Sequence, residues 1–154
     1  MKLFGHPVHP LFIHFPTALL PVDLVLSVLY RVTGNHSFYL AGFYCLASGV
    51  LVGLPAIITG LIEIISMPKG NKKATTLALY HGFMNGTIML VFAIIGYKAW
   101  QIFPEIYLAK PTGIFVKAFL IMALFAGNYL GGQLIYKHHI GINLKQSLHG
   151  EMET

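Results

Sequence analysis

Eight histidines stand in a chain of 154 residues that is 56% hydrophobic and only 10% charged. His6 and His9 sit in His6-Pro7-Val8-His9-Pro10, where the prolines stiffen an extended entry, and His14 follows inside an apolar run. His81 lies in a second apolar run, His138 and His139 close another, and His36 and His149 fall in polar stretches. Neutral imidazole is the commonest protein ligand for metals and binds Fe, Cu or Zn. It is also an axial ligand of haem iron. Inside a bilayer an ionisable residue is costly without a partner and by default marks a site or a pathway. The chemistry these residues suggest is therefore metal or haem ligation within a membrane.

The elements that must position them are four long apolar runs, at about residues 11–32, 40–66, 74–100 and 114–136. At about 1.5 Å rise per residue each run crosses a hydrocarbon core of roughly 30 Å. The breaks carry turn chemistry: Thr33-Gly34-Asn35, Met67-Pro68-Lys69-Gly70-Asn71, and Phe103-Pro104 through Lys110-Pro111-Thr112-Gly113. The expectation is an all-α integral membrane four-helix bundle, a single domain over 1–154. No small-residue cleavage site follows the first run, which therefore reads as a retained helix. There is no repeat of 20 to 50 residues. A mean hydropathy of +0.71 leaves too little polar surface for a soluble fold of this size.

Helices that cross in turn alternate direction, so both termini lie on the same side. That side receives Lys2, Lys69, Lys72, Lys73, Lys137 and Lys145. The other receives Arg31, Lys98, Lys110 and Lys117. Six against four makes the termini cytoplasmic by the positive-inside rule. The net charge of +5 thus reports orientation rather than nucleic-acid binding, since no basic stripe with interleaved polar aromatics is present. Seven of the eight histidines belong to the terminal side, and only His36 to the other.

Haem held between helices needs a histidine from each of two helices, and small residues where the flat macrocycle meets a backbone. The fourth run offers His138 with Gly131 and Gly127 on one helical face. The second offers Gly42, Gly49, Gly53, Ala56 and Gly60, and the third has His81 with Asn85 one turn on. The same glycine spacings also serve close helix packing. Asn85 and Asn128 suit either ligand-ring hydrogen bonding or a link between helices. Glu63 suits a carboxylate orienting a ligand histidine, or a partner for Lys69 to Lys73. Asp23, nine residues beyond His14, falls on the opposite face of the first helix and serves helix packing or a proton path. Pro16, Pro21 and Pro55 are kink positions. The lone Cys45 makes no internal disulfide. H-E-x-x-H, P-loop, G-x-S-x-G and C-x-x-C-H patterns are all absent, and a hydrolase is not expected.

His6-Pro7-Val8-His9-Pro10, followed by His14-Phe15-Pro16-Thr17-Ala18-Leu19-Leu20 and Asp23, resembles the opening of the bacterial membrane family DUF2231. Thr59-Gly60-Leu61-Ile62-Glu63 resembles its second-helix end, and His81 with Asn85 its third-helix histidine region. Gly132-Gln133-Leu134-Ile135-Tyr136-Lys137-His138 resembles its closing motif, except that His139 stands where the family usually has glycine; Ile13 replaces a valine. The resemblance implies four helices, a membrane location and a histidine-centred site.

These readings converge on a membrane electron-transfer protein or redox-complex subunit in a bacterial inner membrane. It would bind b-type haem through His14, His81, and His138 or His139, with Gly131 and Asn85 beside the cofactor. Lys72, Lys73 and Lys137 would be available for the propionates, and a quinone pocket near the same layer is compatible. The alternatives are a non-haem metal site (Cu, Fe or Zn) built from His6, His9, His14, His81, His138 and Glu63, and a purely structural membrane subunit of a larger complex.

Overall fold

A computed structural model describes residues 2–3, 6–67, 70–103, 105, 110–138 and 140, with residues 2, 3, 6 and 7 described by backbone alone. A two-residue antiparallel pair, β1 (Lys2–Leu3) with β2 (His6–Pro7), leads into four helices. These are α1 (Val8–Thr33), α2 (His36–Ile65), α3 (Lys72–Ile102) and α4 (Pro111–Tyr136). All four are long and apolar enough to cross a membrane. Helix is the element lipid demands, because it satisfies every backbone polar group within the segment.

The ends follow from local chemistry. Gly34 adopts φ +69°, which turns the chain out of α1 without a Cβ clash. The Asn35 side chain then accepts from Ser37 N at 3.0 Å and caps α2. Asn71 caps α3 in the same way through Ala74 N at 3.1 Å. Pro111 opens α4, where its missing N–H costs no helical bond. Each helix begins two to four residues earlier than the sequence reading placed it. α1 begins at Val8, so His9 and Pro10 lie in its first turn rather than in an extended entry. Proline is tolerated there because first-turn N–H groups have no intrahelical acceptor.

The helices pack in cyclic order, with α1 and α3 each touching both α2 and α4. Leu20, Leu46, Phe92 and Leu124 meet at the centre, where Leu20 and Phe92 are wholly buried. Large apolar side chains such as Val32, Phe83 and Phe115 point outward and are more than 70% exposed. Such a surface would drive a soluble protein to aggregate; lipid tails solvate it.

The glycines of α2 serve packing. A Cβ at Gly49 would stand 3.1 Å from Leu20 of α1, and one at Gly53 would run into the Met89 methyl of α3. Asn128 donates to Thr17 Oγ1 at 3.0 Å, joining α4 to α1.

At the other end of the bundle Lys117 of α4 meets Asp23 of α1, with Nζ 2.8 Å from each carboxylate oxygen. Its ammonium also donates to Ser27 Oγ at 3.0 Å. Lys117 therefore points inward, and the charge count by side becomes six against three. Asp23 is 2% exposed. Removing one partner of a buried pair leaves an uncompensated charge and costs about 3–5 kcal/mol, whereas apolar replacement of both is close to neutral. Lys117→Met should therefore lower the midpoint of thermal unfolding in detergent. The double variant Asp23→Leu/Lys117→Leu should recover most of the loss. Equal midpoints for wild type and Lys117→Met would contradict this account of the pair.

Candidate functional site

α1 carries His9 in its first turn and turns the ring toward α2. A carbonyl oxygen can only accept, so the 2.8 Å contact of His9 Nδ1 with the Ala56 oxygen makes that nitrogen the N–H donor. Thr59 Oγ1, itself donating to the Pro55 carbonyl at 2.8 Å, lies 3.4 Å from the same nitrogen. The ring rests on Gly60, where a Cβ would stand 2.9 Å from His9 Cε1. Only glycine leaves this space.

α3 carries His81 and turns it toward α4. His81 Nδ1–H donates to the Gly127 carbonyl at 2.8 Å. The ring rests on Gly131, where a Cβ would stand 2.7 Å from His81 Cε1. Asn85 donates to the His81 carbonyl at 3.0 Å, and its Nδ2 lies 3.1 Å from His81 Nδ1. Gly127 leaves space for the Asn85 amide, since a Cβ there would clash with it.

The two rings are neighbours in an edge-on contact, with centroids 6.2 Å apart and planes at 90°. Both have Nδ1 committed to a backbone carbonyl. In the neutral form each then presents a bare Nε2 lone pair. This is the arrangement of metal-ligating histidines, whose second nitrogen is held by a carbonyl or carboxylate that fixes tautomer and orientation.

The rings open into a cavity of about 640 Å³ among all four helices. That size lies within the roughly 300–1,000 Å³ usual for small-molecule and cofactor sites. His9, His14, Glu63, His81, Asn85 and Gly131 are among its lining residues, and most of the remaining wall is apolar. Gly86 and Gly132 also face it, with nothing within 4 Å of a Cβ built on either.

A family profile described as a predicted membrane protein, DUF2231, matches residues 5–144. The chain belongs to this family. No curated protein and no solved structure matches it. In this DUF2231 chain six of the residues expected at a site thus line one cavity. His138 is half-buried and lies outside that lining. His139 and the His6 side chain lie outside the described residues. Among the described residues no three His, Cys, Asp or Glu side chains are grouped as a metal site.

The pairing of His9 with His81 was not singled out from sequence, where His14, His81 and His138 or His139 were expected to hold the haem and His9 entered only the non-haem metal alternative. The usable signal was that Ala56 precedes Gly60 by four residues, just as Gly127 precedes Gly131. Gly131 makes room for the His81 imidazole.

Gly131→Val should force the His81 ring off its seat and break the bond to Gly127. Nitrogen-15 NMR of histidine-labelled protein in detergent should show the His81 Nδ1–H resonance lost, with that of His9 retained. An unchanged His81 resonance would contradict the seat.

Proposed function

We propose that this chain is a membrane electron-transfer protein that holds a b-type haem in the cavity, with His9 and His81 as the two axial ligands. It would act as a small cytochrome or as a subunit of a larger redox complex. The observation that carries the reading is the adjacent pair of imidazoles on two different helices, each anchored through Nδ1 to a backbone carbonyl. Haem asks the protein for two such ligands and an apolar enclosure. When bound, the iron would take up and release one electron. The protein would tune its potential by the ligand pair, by burial and by nearby charge. Lys72 and Lys73, exposed at the start of α3, are available for propionates or anionic headgroups.

The cationic excess at the terminal end, six against three once Lys117 is paired, supports a bacterial inner-membrane orientation with the termini in the cytoplasm. Electrons would pass to other membrane redox subunits or to a quinone entering the apolar cavity.

A second reading is favoured by one feature: His14 and Glu63 line the same cavity as the pair. With them the cavity would hold a non-haem Cu, Fe or Zn ion, taking imidazole and carboxylate donors together.

Full-length protein purified from haem-replete cells should be red. Its Soret band should move on dithionite reduction, with sharp α and β bands. His9→Ala and His81→Ala should each abolish that low-spin spectrum, and His138→Ala should leave it intact. A featureless spectrum sinks the haem reading. Stoichiometric metal in elemental analysis would then support the second one.

A further inference from the structure

We infer that the chain is two copies of one helical hairpin, α1–α2 and α3–α4, and that the cavity lies on the pseudo-two-fold axis between them. Its ligand is then a single centre that meets two equivalent imidazoles.

The hydrogen bonds carry the equivalence. His9 donates to a carbonyl 47 residues further on, and His81 to one 46 residues further on. In each hairpin the acceptor lies four residues before the glycine that seats the ring: Ala56 before Gly60, and Gly127 before Gly131. Each seat glycine lies five residues before the end of its helix, at Ile65 and Tyr136.

The register extends into the core. His9 and His81 are 72 positions apart. The same step takes Leu20 to Phe92, both wholly buried, and Pro16 to Ile88, also both buried. Gly60 and Gly131 are 71 positions apart, and that step takes buried Gly49 to buried Leu120 and buried Gly53 to buried Leu124. α1 and α3 run in one direction and α2 and α4 in the other, so the axis follows the membrane normal, as in parallel-repeat membrane proteins. The step is far longer than a solenoid repeat, and few residue identities survive it, so sequence comparison alone does not expose it.

The halves differ beyond the ring, its acceptor carbonyl and its glycine seat: Asn85 beside His81 corresponds to Ile13, and Thr59 beside His9 to Leu130. Asp23 of α1 and Lys117 of α4 correspond to Ile95 of α3 and Leu46 of α2, both parts of the apolar core. An ionic contact closes one hairpin interface, and apolar side chains take its place in the other. Around the rings the correspondence is kept: ring, acceptor carbonyl and glycine seat occur twice.

The ligand class implied is one metal centre that two equivalent imidazoles would hold, and for haem this rests on the function proposed above. A site on the axis admits one haem per chain, not one per hairpin. With the imidazole planes at 90°, ferric haem would give a strongly anisotropic low-spin resonance rather than the resolved rhombic pattern of parallel planes.

The experiment uses full-length protein in detergent and has two arms. The first is nitrogen-15 NMR of histidine-labelled protein without added haem. Two histidines, assigned by His9→Gln and His81→Gln, should show the Nδ1–H tautomer with slowly exchanging protons. Gly60→Val should remove only the His9 signal, and Gly131→Val only that of His81. The second arm is haem titration with electron paramagnetic resonance. One haem per chain should bind and give a single anisotropic low-spin species. His9→Gly and His81→Gly should each convert it to a high-spin species that added imidazole returns to low spin to the same extent. Two haems per chain, an Nδ1–H tautomer at only one of the two histidines, or rescue of only one variant would overturn the inference. Absence of haem binding with both tautomers present would sink the haem reading and leave the equivalence standing.

Discussion

The bond from an imidazole N–H to a helix carbonyl of the neighbouring helix is the constraint on which the rest of this structure depends. A histidine within an apolar bundle needs a hydrogen-bond partner. Here the partner is a backbone oxygen, from Ala56 for His9 and from Gly127 for His81. To reach it the ring must lie against the neighbouring helix, and that forces glycine one turn further on. The same bond fixes which nitrogen carries the proton, so Nε2 is the atom left for a ligand. A tautomer, a helix spacing and two glycines thus follow from one hydrogen bond made twice.

The polar groups of the bundle are distributed by depth. The histidine pair and its cavity occupy the end near the chain termini, and the Asp23–Lys117 pair occupies the other half. Between them Leu20, Phe92 and Leu124 form an apolar plug. Thr17 and Asn128, bonded to each other at the cavity wall, tie α1 to α4 just below the rings. His14 and Glu63 line the cavity as well.

Much of this was legible in the sequence. The four spans, their alternation and the gathering of histidines near one face follow from hydropathy and turn residues alone, because lipid allows few other backbones. The seating of His81 beside Asn85 and near Gly131 was within reach, since Asn85 and Gly131 lie at helical spacings from functional neighbours. Two things were not legible. His9 looked like part of a stiff, extended entry because proline flanks it, yet proline is welcome in a first helical turn. Its promotion into α1 makes it the partner of His81. Lys117 looked like a boundary lysine because only a fold can bring residue 117 against residue 23. Side-chain direction, not type or spacing, decided both. The helix order around the bundle decided which histidines meet, and no one-dimensional pattern encodes that order.

Near-infrared magnetic circular dichroism of the oxidised full-length protein tests the central claim most directly, because its charge-transfer band identifies the axial ligand pair of low-spin haem iron. The account predicts a bis-imidazole band that is lost on substituting either His9 or His81. A band of a different ligand pair, or a bis-imidazole band that survives loss of His9, would contradict it.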